Sequence, residues 1–255
     1  MDLKVEKVSL KEILPLRELF LKENNFQVRY DAWHRRGWTD SYLITIDGAD
    51  AGYGSVKGKD DLALRDAIFE FYLTPKNRKY SNTAFEMLIK ASGVKYIECQ
   101  SNEHLLSSML FEFSNSASSD VVLFEDDQFA FLNIPGATFR KKTTGDKSFD
   151  HKSEPDGDYV IEADGEIVAT GGFLLHYNMP FADLYMEVRE DQRQKGYGSL
   201  MIQELRKACF DAGRVAAARC NITNKASKAT LLKGGLRIAG YMLTGKIKTE
   251  YLIGV

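Results

Sequence analysis

The sequence predicts an α/β (α+β) fold made of two related halves, and three observations carry that expectation. A strand–turn–strand unit built on Asp-Gly occurs twice, at Asp47-Gly48 and at Asp164-Gly165, 117 residues apart. Each copy is followed by a further apolar strand, a helix and another strand, which is the pattern of a diverged tandem repeat. The stretch 136–157 between the copies is polar and rich in turn formers, as a linker would be. A chain of 255 residues is long enough for two domains with separate cores. The boundary is expected near Pro135, giving domains 1–135 and 136–255.

From Ser9 to Asn24 the apolar residues Leu10, Ile13, Leu14, Leu16, Leu19 and Phe20 recur at spacings of three and four, and Ser9 with Glu12 reads as a capping box. An amphipathic helix is expected there, with Pro15 as a kink point. A second short helix is expected before Gly37, in the segment that holds Tyr30, Trp33 and Trp38. YLITI, Asp47-Gly48 and AGYGSV form the first hairpin, because Asp-Gly supplies the positive φ angles of a tight primed turn. IFEFYL around Phe69, NTAFEMLIKASG and VKYIECQS follow as strand, helix and strand.

The second copy is expected to open with a strand at Ala137 to Arg140 inside the linker. YVIEA, Asp164-Gly165 and IVATGGFLL form its hairpin, DLYMEV its third strand, and RVAAARCN the strand after its helix. That helix carries Met201, Leu205, Ala208 and Cys209 as its apolar stripe and ends at Gly213. Long helices precede the first hairpin and almost nothing precedes the second, so the second half is expected to borrow a wall from the first.

Apolar residues at 44% and charged residues at 27% are ordinary for a globular protein. Lys and Arg number 34 against 36 Asp and Glu, a net charge of -2, which argues against a protein that coats nucleic acid or an anionic membrane. No stretch approaches the roughly 18 apolar residues of a membrane span, and MDLKVEKVSLKEIL has no signal core. Cys99, Cys209 and Cys220 show no C-x-x-C pair, and His34, His104, His151 and His176 are scattered, so neither a metal site nor disulfides are expected. A reducing, cytoplasmic setting fits these features.

The densest chemical signal follows the strand that ends in Glu187-Val188. Arg193-Gln194-Lys195-Gly196-Tyr197-Gly198 leads from a charged turn into the helix. The first turn of a helix has unpaired N–H groups and the positive end of the macrodipole, and glycines let a pyrophosphate approach that backbone. The spacing is neither G-x-x-x-x-G-K-[ST] nor G-x-G-x-x-G, so the P-loop and dinucleotide readings fail.

The spacing resembles R/Q-x-x-G-x-G/A, the acyl-CoA pyrophosphate loop of the GNAT N-acetyltransferase superfamily. Downstream, Asn224, Ser227, Leu231, Gly235 and Leu236 fall where that family has N-x-x-A/S, a Tyr and Gly-Phe, so the resemblance spans about 158–248. It implies a central mixed, mostly antiparallel sheet flanked by helices in each domain, and acetyl-CoA as co-substrate. It further implies that Val188 pairs with the pantetheine and acetyl carbonyl, that Arg193, Gln194, Lys195, Gly196, Tyr197, Gly198 and Ser199 wrap the pyrophosphate, and that Asn224 and Ser227 line the pantetheine side. Asn224 also suits the N-cap of the helix that begins at Lys225.

An ammonium acceptor must lose a proton before it attacks a thioester, and Glu187 is the candidate general base. Arg219 stands at the other position where relatives carry a base, and Leu231 replaces the tyrosine that serves as general acid. Tyr197, Tyr241 and water are the alternatives for that acid, and none is assigned. Cys220, within a strand, reads as packing rather than as a nucleophile. The first copy has TPKNRKYSNTAF at the loop position, with no glycine, and only a faint second motif at Asn102, Leu105 and Phe113. It is expected to be a degenerate copy that shapes the acceptor pocket, for which Tyr30, Trp33 and Trp38 are wall candidates if they do not simply pack a helix on the sheet.

The implied activity is an acetyl-CoA-dependent N-acetyltransferase passing the acetyl group directly to an amine of a small molecule or peptide. The alternative is a non-catalytic acyl-CoA-binding or regulatory module. Transfer from aminoacyl-tRNA is disfavoured by the balanced charge. Expected partners are acetyl-CoA and the amine, without nucleic acid or membrane, in a monomer (a pseudo-dimer) or a homodimer. Peptide N-termini, polyamines, amino acids and antibiotics all remain open as acceptors.

Overall fold

The computed structural model describes residues 2–24, 31–127 and 130–252. Strand β1 (Leu3–Val8) leads into helix α1 (Leu10–Glu23), where Glu12 accepts the Ser9 N–H at 2.8 Å and Pro15 lies within the helix. Helix α2 (Asp31–Arg35) is the short helix before Gly37, and Tyr30 lies outside the described residues. Strands β2 (Thr39–Ile46) and β3 (Ala49–Lys57) form a hairpin whose turn residues Asp47 and Gly48 have φ of 51° and 77°, both in the left-handed region that a primed turn requires. Strand β4 (Ala67–Leu73), helix α3 (Ser81–Ser92), strand β5 (Tyr96–Gln100), helix α4 (His104–Phe113) and strand β6 (Ser114–Asp126) follow.

The second series begins with β7 (Ala137–Lys141). The hairpin β8 (Tyr159–Ala163) and β9 (Glu166–Leu174) turns through Asp164 and Gly165, with φ of 52° and 76°. It continues with β10 (Phe181–Val188), α5 (Tyr197–Asp211), β11 (Val215–Asn221), α6 (Lys225–Lys233) and β12 (Leu236–Ile247). No helix among the described residues is long and apolar enough to cross a membrane.

The described residues form two compact units, one of 2–24, 31–120 and 241–252, the other of 121–127 and 130–240. In the first, the strands run β1-β2-β3-β4-β5-β12; in the second, β7-β8-β9-β10-β11-β6. Both sets are antiparallel except for the β4–β5 and β10–β11 pairs. The sixth place is exchanged. In the first unit β5 pairs with β12 (Gln100 opposite Met242), and in the second β11 pairs with β6 (Asn221 opposite Val121). Strand pairing therefore makes the units interleave, where a repeat read along the sequence suggests one cut near Pro135.

Each sheet carries a helix on one face. In the first unit Phe71, Leu73 and Ile97 are buried with Phe85 and Leu88 of α3, each such side chain worth about 1.5–3 kcal/mol of burial. Gly54 permits this contact, since a Cβ there would lie 2.3 Å from Leu88 Cδ2. The opposite face packs Tyr53 and Tyr72 against Ile13, Leu16 and Phe20 of α1. In the second unit α5 lies on β9 and β10, with Leu205 Cδ1 3.0 Å from where a Gly171 Cβ would be. The other face is crossed by part of the stretch read as a linker. It is tied down by Arg140 to Asp146, by Lys142 and Ser148 to Asp156, and by His151 Nε2 to Thr170 Oγ1 at 2.6 Å.

Candidate functional site

The ladder between β10 and β11 has three pairs, ending at Asp183 opposite Ala217. Beyond it β11 stays with β6 as far as Asn221, and β10 stays with β9 as far as Val188. The two strands therefore part from Leu184 and Ala218 onward. The Arg189 N–H donates to the Val168 carbonyl at 3.0 Å, which fixes the alternation of the antiparallel β9–β10 pair. Asp183, Tyr185 and Glu187 turn their backbone groups to β9. Leu184, Met186 and Val188 turn theirs into the gap left by β11. Backbone groups in such a gap need partners, and an extended ligand carrying amides can take the place of a strand there.

At the open end of the gap the chain makes a short turn (Glu190–Gln192) and then the segment 193–196. Gln194 has φ of 65° and Gly196 φ of 91°, so the backbone is left-handed twice before the helix begins. The first intrahelical bond of α5 is Leu200 N–H to Gly196 carbonyl, 3.0 Å. The N–H groups of Tyr197, Gly198 and Ser199 thus sit at the positive helix end without intrahelical acceptors. Gly198 is closely surrounded: a Cβ there would lie 3.1 Å from Thr230 Cγ2 and 3.2 Å from Met186 Cε. The Arg193 side chain, half exposed, donates from Nε to the Val188 carbonyl at 3.3 Å, and Lys195 Nζ bonds Gln192 at 2.7 Å.

Loop 193–199 and the strand end Val188 thus come together. Ser199 is buried and its Oγ bonds the Thr230 carbonyl at 3.3 Å, so its hydroxyl serves α5–α6 packing. Asn224 caps α6, its Oδ1 accepting the Ser227 N–H at 3.0 Å. Leu231 is buried in the same helix. Burial raises the Cys220 pKa even though Ser227 hydrogen-bonds it, and burial pushes Cys209 up to about 11, so neither thiol is activated. Tyr241 belongs to the first unit, where its N–H donates to Ser101 Oγ at 3.0 Å. Trp33 packs on Phe69 with Lys57 Nζ 4.3 Å from its ring centre. Among the described residues no group of three His, Cys, Asp or Glu side chains is placed to hold a metal ion.

Glu187 is already engaged. Its carboxylate, 6% exposed, accepts the N–H groups of Lys152, Ser153 and Glu154 at 3.1 Å each, and the Ser153 hydroxyl at 3.3 Å. Burial acts to raise its pKa, but the N–H groups of Ser153, Glu154 and Lys152 outweigh it and hold the carboxyl below its ordinary value. A group in that state is a weak proton acceptor, which sets it against the general-base role expected from its position. Residues 152–154 carry no signal in the sequence, where they read as linker.

Residues 123–233 match the acetyltransferase (GNAT) family model, and residues 9–127 match a second model described as an acetyltransferase (GNAT) domain. No curated protein matches the chain. Among solved structures it is similar to an acetyltransferase of the GNAT family from Colwellia psychrerythraea, with a TM-score of 0.74 and 14% identity over 96% of this chain and 100% of that one. It is also similar to a GCN5-related N-acetyltransferase from Sphaerobacter thermophilus (TM-score 0.59, 13% identity, 96% of each chain). A tandem GNAT protein from the clavulanic acid biosynthesis pathway gives a TM-score of 0.57 at 9% identity, over 96% of this chain and 98% of that one. At these identities the likeness is one of fold.

Proposed function

The chain belongs to the GNAT acetyltransferase family in a tandem arrangement, and from that premise we propose that its second unit takes acetyl-CoA and passes the acetyl group directly to an amine of a small molecule or peptide. The observation that carries this reading is the parting of β10 from β11 beside a glycine loop at the start of α5. Bound acetyl-CoA supplies an activated acyl thioester. The N–H groups of Tyr197, Gly198 and Ser199 with the cations of Arg193 and Lys195 would hold the pyrophosphate, aided by the turn at Gln194 and Gly196. The backbone of Leu184, Met186 and Val188 would pair with the pantetheine amides, bordered by Asn224 and Ser227. Val188 N–H is the donor nearest the loop and would polarise the acyl carbonyl. With Glu187 engaged and Leu231 unable to donate a proton, proton removal from the amine and proton delivery to the thiolate fall to solvent.

Single-turnover measurement of CoA release from acetyl-CoA with a panel of amines tests the reading: thiol release coupled to an acetylated amine is the expected result. Leu231 at the general-acid position favours the second reading, an acyl-CoA-binding module without chemistry. Tight binding of acetyl-CoA with no thiol release across the panel would establish that module and sink the transferase.

A further inference from the structure

The face of β9 and β10 that carries α5 is the side of Gly171, Met186 and Val188. On the other face, at the level of the parted strands, stand Thr170 and Glu187, opposite each other in the ladder. Both are occupied by one segment: His151 Nε2 lies 2.6 Å from Thr170 Oγ1, and three successive N–H groups from Lys152 to Glu154 converge on Glu187. The segment is tied to the loop side as well. Lys152 Nζ pairs with Glu190 in the turn before the loop, and Arg193 Nη2 lies 4.0 Å from Glu187 Oε1. Lys152, Glu190 and Arg193 are the charged groups on the loop side of this carboxylate, and Glu154 on the segment has Glu187, Asp183 of β10 and Arg219 of β11 as its own charged neighbours.

We propose that Glu187 is a positioning residue: its carboxylate fastens residues 152–154 as a strap across the face opposite α5, and the strap so held bounds the acceptor side of the parted strands. The proposal rests on the transferase reading of this site. Ser153 N–H, the Ser153 hydroxyl and Glu154 N–H all converge on Oε2, and Lys152 N–H reaches Oε1 at 3.1 Å, so a proton accepted from an ammonium would set an O–H among these donors and loosen the strap that the charged carboxylate holds. Among the described residues the second unit has no helix before its hairpin, and the strap supplies covering there from its own chain. Glu187 thus acts on the acceptor through the strap.

The test compares Glu187→Ala, Glu187→Gln and Ser153→Pro, the last removing two of the four donors, the Ser153 N–H and hydroxyl, while leaving the carboxylate intact. Spermidine, lysine and a tetrapeptide serve as probe amines with acetyl-CoA, and amide exchange at 152–154 is followed in parallel. Loss of hydrogen bonds to a charged group, worth about 1.5–3 kcal/mol, predicts KM for the amine raised about 10- to 100-fold in Glu187→Ala and Ser153→Pro. The KM for acetyl-CoA and the shape of the kcat–pH profile stay as in the wild type. Exchange at 152–154 quickens by a similar factor, and Glu187→Gln, which keeps a carbonyl acceptor, recovers much of both effects. A fall in kcat of about 10² to 10⁴ in Glu187→Gln with loss of one ionisation, beside an unaffected Ser153→Pro, would make Glu187 the base and overturn the proposal. If the wild type transfers no acetyl group to any probe, the transferase reading fails by itself. The clamp is then decided by exchange: equally fast amides in wild type and Glu187→Ala would overturn it.

Discussion

Arg78 and Arg193 stand five residues beyond the ends of β4 and β10, and each donates Nε to the carbonyl of the strand's last residue, Leu73 at 3.2 Å and Val188 at 3.3 Å. The strand, the arginine and the following helix are thus the same construction in both units. The difference lies in what joins them. In the first unit a 3-10 helix (Pro75–Tyr80) fills the connection without a glycine, and Arg78 Nη2 pairs with Glu23 of α1. Burial and a bond to that same carboxylate push the Tyr72 hydroxyl up to about 12. In the second unit the connection turns left-handed at Gln194 and Gly196, and Arg193 is half exposed. A repeat can keep its frame and change what it offers an anion by altering four residues of turn and supplying an internal carboxylate.

The strand faces opposite the helices differ in the same spirit. In the first unit Glu70 is fully buried between Arg17 (3.0 Å), His34 (3.1 Å) and the Tyr53 hydroxyl (3.1 Å), under α1 and α2. The second unit places Glu187 under a strap. Glu70→Gln is the change expected to be largest: it takes the fully buried counter-charge from Arg17, leaving the partly buried Asp31 at 2.8 Å, and should cost about 3–5 kcal/mol, read by urea unfolding. Burial works to raise the Glu70 pKa, but the charges of Arg17 and His34 hold it far below the usual carboxylate range. A lowered folded pKa stabilises above the unfolded value of about 4.3 and is lost as pH falls through the folded one. The wild type should therefore lose stability below about pH 4 by a contribution that Glu70→Gln lacks; identical pH dependence in the two would break the assignment.

Gly198→Val should be next, because its branches meet Thr230 and Met186 where the backbone would face the pyrophosphate of the proposed site. About 2–3 kcal/mol of lost binding corresponds to roughly 100-fold weaker acetyl-CoA affinity by calorimetry, with the fold retained. Unchanged affinity would remove the loop from the site. The smallest effect sharpens the comparison most: Arg193→Ala should weaken acetyl-CoA about tenfold through loss of one charge-assisted contact, and Arg78→Ala should leave the affinity as it was. Equal losses from both arginines would show that the first unit also holds an anion.

Both hairpins are legible because Asp-Gly carries its φ preference locally, and the helix stripes are legible because period 3.6 is a local pattern. Strand β1 goes unread although Leu3 and Val5 pack against the core, since its apolar–polar alternation is short and breaks at Lys7, where a third apolar residue would be due. Residues 114–120 (SNSASSD) look like a loop and are strand, held by pairing rather than by propensity. The turn and helix start at 193–199 are readable because Gly196 and the first residues of the helical stripe stand side by side. The state of Glu187 is not readable, because its partners lie 33–35 residues upstream and a strand-end carboxylate looks the same whether it is bare or bound.

The exchange of β6 and β12 sets the order in which the units can be finished during synthesis. Strands β6 to β11 have all been made by Asn221, whereas β5 of the first unit waits for Met242–Lys246. Domains ordinarily complete themselves in the order they are made, at about 5–20 residues per second. Here the unit begun first is completed last, and β5 keeps an unpaired edge while more than 100 further residues are added. A stop introduced just before residue 241 would spare the second unit's strands and leave the first unit's sheet one strand short.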